Sequence, residues 1–234
     1  MHRVLVVSVN RFSLAKEQTM QKKPKQKWPP KPVRPPGREL FFKPLEAVFD
    51  QNNRECVNYA YRLSKLSSHG KFREDGTRVF DHPKAAAWIY INELGGRDPD
   101  IIIIILWHDV LEDTEHDFLF ILSPFRIRIN TSEEIALDIG AVSKLKEGKE
   151  TIRQYLLRVI GRGPRTILAK LCDRLHNIRN LHWSSSEKRK CQIAETQRYH
   201  LPLLVPALRA YGGQWAIYAD ALEQKIKDAI VQYK

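Results

Sequence analysis

Apolar residues along this chain recur mostly at three- and four-residue steps, the spacing of one face of an α-helix. Leu45, Val48, Phe49, Cys56, Tyr59, Ala60, Leu63 and Leu66 follow that spacing and predict helix from about Pro44. Between 67 and 82 the pattern lapses, with Gly70 and Gly76 in a stretch of no period, so a loop or short hairpin is expected. Pro83 suits a first helical turn, and Ala85-Ala86-Ala87-Trp88-Ile89 carry that helix to Gly95-Gly96. Five consecutive isoleucines, Ile101 to Ile105, favour a strand on propensity alone. The polar residues after them make sense only at helical spacing, so helix is expected from Ile101 to Asp113, capped by Asp98 or Asp100. Residues 114–130 read as loop. Helical patterns return at about 132–142, 150–160, 165–181, 187–199 and 214–231. About eight helices, no strand series and no internal repeat predict an all-α bundle.

Charge changes this picture in one respect. The 234 residues carry a formal +12, with 39 basic side chains against 27 acidic ones. Residues 1–40 hold ten basic residues and two acidic ones, hence +8, and six of the 13 prolines lie between Pro24 and Pro36. Such a segment cannot offset its ordering entropy by burial, so 1–40 is expected to be a disordered basic tail and 41–234 one domain. The basic balance therefore describes a tail and does not define a nucleic-acid-binding domain. No apolar stretch approaches the roughly 20 residues of a membrane span. Cys56, Cys172 and Cys191 suggest neither a disulfide framework nor a thiolate metal cluster. A soluble protein of a reducing compartment, the cytoplasm, is expected.

The chemistry concentrates in two segments. In Trp107-His108-Asp109-Val110-Leu111-Glu112-Asp113, a helix would place His108 with Glu112 and Asp109 with Asp113 on one face. Three carboxylates after a run of apolar residues repel one another and require a cation or protons. In Lys170-Leu171-Cys172-Asp173-Arg174-Leu175-His176-Asn177, Asp173 and Asn177 share a face. His82, before Pro83, is a third candidate ligand. Each piece alone has an ordinary reading as a surface ion pair; their joint occurrence points to a metal-dependent hydrolase. Imidazoles and carboxylates without thiolate favour Mn, Fe or Mg over a structural zinc site.

His-Asp-x-x-Glu-Asp-Thr from His108, followed by Lys-Leu-x-Asp-Arg-Leu-His-Asn-x-Arg from Lys170, resembles the hydrolase domain of RelA/SpoT-type proteins, a branch of the HD-domain phosphohydrolases. The likeness runs from about Tyr59 to Leu203 and includes Gly70-Lys71-Phe72-Arg73, His82-Pro83, Val142-Ser143-Lys144-Leu145 and Pro202-Leu203. It implies an HD-type helical fold that binds Mn(II) through His82, His108, Asp109 and Asp173. Glu112 and Asp113 would position the attacking water and stabilise the reacting phosphate. The implied substrate is guanosine tetra- or pentaphosphate, which loses pyrophosphate from its 3′ position to leave GDP or GTP. Arg73 would lie near the base, Asn177 near the ribose, Asn180 near the substrate, and Lys144 and Lys190 toward phosphate.

Three positions depart from the family pattern: Glu74 where Lys is usual, Asn180 where Thr is usual, and His200 where Tyr is common. Metal chemistry is therefore better supported than guanine specificity. Adenine alarmones, or another 3′-phosphorylated nucleotide, stand as the alternative substrate. The length implies a stand-alone alarmone hydrolase, a kind of protein that can act as antitoxin to an alarmone-synthetase toxin. A reading of another class is a nucleic-acid- or ribosome-binding protein acting through the basic tail.

Overall fold

In a computed structural model, which describes residues 35–73, 76–113, 132–144 and 150–233, the seven residues Ile101 to Trp107 are all buried, in a helix rather than a strand. Asp98 caps that helix by accepting from the backbone N–H groups of Asp100 (2.8 Å) and Ile101 (3.4 Å), and Pro99 occupies its first turn. These start signals, together with burial on every side, outweigh the strand propensity of isoleucine.

The described chain runs through α1 (Arg38–Glu46), α2 (Gln51–Ser67), α3 (Asp81–Trp88), α4 (Pro99–Trp107), α5 (Val110–Asp113), α6 (Ser132–Val142), α7 (Ile152–Arg162), α8 (Pro164–Arg179), α9 (Ser186–Glu195), α10 (Leu201–Arg209) and α11 (Gly213–Val231). Single π-type turns extend α3 over Ile89–Glu93 and join α9 to α10 over Thr196–His200. The class is all-α, as the periodicity predicts. No strand occurs among the described residues. The hairpin expected before His82 is one antiparallel bridge, Phe72 to Arg78, closed by Arg73 N–H donating to Thr77 O at 2.8 Å.

The elements differ from expectation at three joints. The helix expected from Pro44 to Leu66 is two helices, because Asp50 accepts from Asn53 N–H at 2.7 Å and starts α2 afresh. Helix α10 was hidden in the sequence by Pro202 and Pro206, yet Leu204, Val205 and Leu208 are buried and hold it in place. The third joint is the most consequential. The helix expected from Ile101 to Asp113 breaks at His108–Asp109, and α5 is a separate short turn.

Side chains occupy the carbonyls at that break. His108 Nδ1 lies 2.7 Å from Ile105 O, Ser64 Oγ donates to Leu106 O at 2.7 Å, and Ser143 Oγ donates to His108 O at 2.7 Å. These carbonyls would otherwise accept the N–H groups of a continuing helix. The single helix expected from Ile101 to Asp113 is therefore two elements, and that expectation is corrected.

Helix α8 lies at the centre, packed by α3, α4, α6, α7, α10 and α11. Eleven of its 16 residues are buried, including the charged Lys170, Asp173 and Arg174. A helix buried all round is normally apolar all round. Charges there need partners, and the partners define the site. No helix among the described residues is long and apolar enough to cross a membrane.

Candidate metal centre and pocket

Four side chains foreseen as ligands converge. His82 projects from the first turn of α3, His108 and Asp109 from the break after α4, and Asp173 from central helix α8. His82 Nε2 and His108 Nε2 are 3.1 Å apart. Asp109 places Oδ1 2.9 Å from His108 Nε2 and Oδ2 3.3 Å from His82 Nε2. Asp173 Oδ1 is 2.9 Å from His82 Nε2 and 3.4 Å from His108 Nε2. One ligand atom each from His82, His108 and Asp109 fall within 4.8 Å of one another, and Asp173 adds a further oxygen beside both imidazoles.

The chemistry of this donor set fits a divalent cation. A carbonyl only accepts, so His108 Nδ1 carries the hydrogen it directs at Ile105 O. Its Nε2 is then the atom with a lone pair to give once the ring is neutral, which is how metal-binding histidines are fixed. Asp173 is held from its far side, with Lys170 Nζ 2.7 Å from Oδ2, while Asn177 Nδ2 donates to Oδ1 at 2.6 Å.

Electrostatics points the same way. Burial alone would raise the Asp109 carboxyl, but His108 and His82 beside it hold it well below the usual carboxylate range. Burial would likewise raise Asp173, and Lys170 and His108 outweigh it. Both carboxylates are therefore ionised. Burial would lower His108, yet Asp109 and Asp173 lift it well above an ordinary histidine. A proton on His108 supplies positive charge that these carboxylates demand, and a divalent ion would displace it. His82 remains lowered by burial and neutral, as a ligand must be.

His82, Asp109 and Asp173 of the cluster line a cavity of about 480 Å³. Its walls include Arg73, Glu112, Lys144, Arg174, Asn177 and Asn180. Glu112 Oε1 accepts from the Lys144 backbone N–H at 2.6 Å, and burial raises the Glu112 carboxyl. Arg73 Nη2 reaches Asn177 Oδ1 at 3.4 Å, which joins the loop before α3 to helix α8 across the cavity. Asn180 is turned toward His176, with Nδ2 donating to His176 O at 2.8 Å and lying 3.0 Å from its Nε2.

Lys190 is exposed and is not among the described residues of the wall. Lys188, two positions earlier, is. Glu74 and the side chain of Asp113 lie outside the described residues.

Sequence reasoning passed over Lys170, His176 and Arg174, all of which line the cavity. The signal was present as spacing on α8, since Lys170, Asp173 and His176 are three apart and Asn177 lies four from Asp173. His200, one of the departures from the family pattern, is wholly buried and meets Arg174 Nη2 at 2.7 Å through Nε2. Burial and Arg174 push this imidazole down to about 2, so it stays neutral and accepts from Arg174. With Gln192 and Glu195 also receiving Arg174, His200 seats a cationic wall residue and is not itself on the wall.

This arrangement defines the class, an all-α bundle with a His–His–Asp–Asp cluster beside a polar cavity. No family model matches the chain. A solved structure described as a metazoan orthologue of SpoT that hydrolyses ppGpp shares the fold, with a TM-score of 0.59 over 79% of this chain and 97% of that one, at 21% identity. The chain is 34% identical over 149 residues to a protein of Aquifex aeolicus named guanosine-3′,5′-bis(diphosphate) 3′-pyrophosphohydrolase, covering 64% of this chain and 21% of that one. It is 30% identical over 154 residues to a Streptomyces coelicolor protein named GTP pyrophosphokinase, covering 63% of this chain and 17% of that one. The chain is thus related in sequence and fold to RelA/SpoT-type proteins, and it spans about a fifth of the length of these curated relatives.

Proposed function

We propose that the chain is a metal-dependent hydrolase that removes the 3′-pyrophosphate of guanosine tetra- or pentaphosphate, with Mn(II) as its ion. The observation that carries this reading is the convergence of His82 Nε2, His108 Nε2, Asp109 and Asp173 beside a cavity with Arg73, Lys144 and Arg174 on its walls. Acidic ligands below and cations around suit a small polyanion that must approach a metal. The A. aeolicus relative is named for this reaction, and the metazoan neighbour is described as hydrolysing ppGpp.

An ion held by His82, His108, Asp109 and Asp173 would acidify a bound water and screen the charge of the reacting phosphate. The remaining work falls to the chain. Glu112, whose carboxyl burial raises from its ordinary value, is suited to take the proton of the attacking water. Attack at the phosphorus next to the ribose breaks its bond to the 3′ oxygen, which leaves protonated as the ribose hydroxyl, and pyrophosphate departs. Asn177 and Arg73, already linked, form a wall against which the ribose and base can be oriented. Asp113 acts beside Glu112 on the reacting phosphate, and Asn180 contacts the substrate. Lys144 and, on α9, Lys188 take phosphate oxygens in place of Lys190, which is off the described wall.

The compartment consistent with such a substrate is the cytoplasm. An alarmone synthetase is the partner this activity would oppose. The reading is tested by pyrophosphate release from ppGpp and from its adenine analogue, with Mn(II), by wild type and Asp109→Ala. Release from ppGpp that Asp109→Ala abolishes supports it. Release from the adenine analogue alone moves the claim to that substrate, and release from neither removes it. Deletion of residues 1–40 with binding of nucleic acid unchanged would dismiss the tail-mediated alternative.

A further inference from the structure

We propose that Arg158 of α7 is a positioning residue for Glu112: by tethering the C-terminal end of α6 it holds the Lys144 backbone N–H where Glu112 accepts it. The inference rests on the reading of Glu112 as the group that takes the proton of the attacking water, and it assigns a role to a residue on a neighbouring helix.

Glu112 belongs to α5, an element of four residues. A single helical turn gains few hydrogen bonds against its ordering cost, so such an element is placed by its neighbours more than by its own stability. The Glu112 carboxylate is met by main chain, with Lys144 N–H donating to Oε1 at 2.6 Å. Lys144 follows directly on the end of α6 at Val142–Ser143, so the place of that donor depends on how α6 ends.

Helix ends leave carbonyls without intrahelical partners. At the end of α6 these are taken up from α7. Arg158 Nη1 donates to Gly140 O and Ala141 O, both at 2.8 Å, and Nη2 donates to Ser143 O at 3.1 Å. Tyr155 O–H, from the preceding turn of α7, donates to Val142 O. Four successive carbonyls, Gly140 to Ser143, are thus held by two side chains of one helix. Glu150 in turn fixes the guanidinium, with Oε1 3.1 Å from Nε and Oε2 2.9 Å from Nη2. A cation at a helix C-terminus also matches the helix dipole.

The last of these carbonyls carries the argument to the site. Ser143 C=O and Lys144 N–H are the two polar edges of one peptide unit. That unit is planar and trans, so its oxygen and its hydrogen point in opposite directions. Arg158 grips the oxygen and Glu112 receives the hydrogen. Fixing one edge of a rigid plane aims the other.

The test compares Arg158→Met with Arg162→Met in the full chain. Methionine keeps an unbranched stem and removes every donor. Arg162, one turn further along α7, pairs instead with Asp138 and Glu134 earlier on α6, and so controls for a general loosening of the two helices. Amide hydrogen exchange of Lys144, read by NMR, needs no turnover; kcat and KM are read from pyrophosphate release from ppGpp with Mn(II). Arg158→Met should speed Lys144 exchange on the order of 10-fold. It should lower kcat on the order of 10- to 100-fold with KM little changed. Arg162→Met should leave both at wild-type values. Arg158→Lys keeps the charge without the planar fork and should lie between wild type and Arg158→Met. If Arg158→Met does not fold, Arg158→Lys carries the test, with kcat lowered on the order of 10-fold. Wild-type Lys144 exchange or wild-type kcat in the Arg158 variants, a change in KM alone, or an equal fall in kcat in Arg162→Met overturns the proposal. Absence of pyrophosphate release by the wild type overturns the reading of the reaction itself, and this inference with it.

Discussion

Ser143→Ala tests whether the break after α4 holds the metal centre in shape. The side chain is 1% exposed, and its hydroxyl lies 2.7 Å from His108 O and 2.9 Å from Ile139 O. Removing it takes a donor from a buried carbonyl at the residue whose imidazole serves as a ligand. Loss of a partner by a buried polar group costs about 1–3 kcal/mol. For a domain of this size each kcal/mol lowers the melting temperature by about 2–4 °C, so a fall of about 2–12 °C is expected. Thr166→Val is the control, because Thr166 Oγ1 similarly donates to buried carbonyls, Val159 O at 2.7 Å and Gly163 O at 2.8 Å, away from the ligands. Both variants should lose comparable stability in the metal-free state. Only Ser143→Ala should also weaken Mn(II) binding, on the order of 10-fold as for other groups behind a ligand. Melts with and without Mn(II), and titration calorimetry, read both quantities. Equal Mn(II) affinity in the two variants would refute the claim that the break positions His108.

Glu112→Gln should abolish pyrophosphate release while retaining Mn(II) binding, whereas Asp109→Ala should lose both; metal content of the purified variants alongside turnover separates the roles. Arg73→Ala should raise KM with little change in kcat, since it removes a wall group that orients bound substrate and not a group at the reacting phosphorus. Glu93→Gln should show a pH-dependent loss of stability. Burial would raise Glu93, but hydrogen bonds from Arg179 and Lys225 outweigh it and hold the carboxyl below its usual 4.5. A carboxyl lowered in the folded state stabilises above the unfolded value, and that contribution disappears as pH falls through the folded one. Arg179 is exposed enough for water to screen the pair, so the loss at pH 7 should be about 1 kcal/mol and should vanish in acid. Denaturant melts at pH 7 and pH 3 check it, and a penalty that persists at the lower pH counts against the assignment.

The helices were legible because most of them bury one stripe, and a stripe leaves a period in the sequence. Where burial is complete the period vanishes, which is why Ile101 to Ile105 read equally as strand and why Asp98 and Pro99 had to decide the matter. The four proposed ligands were legible as residue types in order, but the geometry assumed for them was not. An unbroken helix through Asp113 would have stacked Glu112 on His108. The helix is instead interrupted at carbonyls that Ser64 and Ser143 engage, 44 residues before and 35 after His108 in the chain, and no local pattern could reveal it. His176 was missed for a related reason, since its contact is with His82, 94 residues away.

Central helix α8 shows why so much of the site lies beyond sequence pattern. Lys170, Asp173 and Arg174 are each 5% exposed or less, in the helix that most of the others pack upon. Burying ion pairs there is weak evidence for stability, because apolar residues of similar volume commonly serve a core as well or better. The pairs are instead arranged by function. Lys170 draws on Asp173 from the side away from the imidazoles, and Arg174 is fixed by Glu195, Gln192 and His200 at the cavity wall. A chain with +12 overall therefore keeps its most consequential charges in close pairs, where their net contribution to that number is small. Net charge reports the tail. The proposed reaction would depend on the acidic cluster that the core encloses and on the cations of the cavity wall.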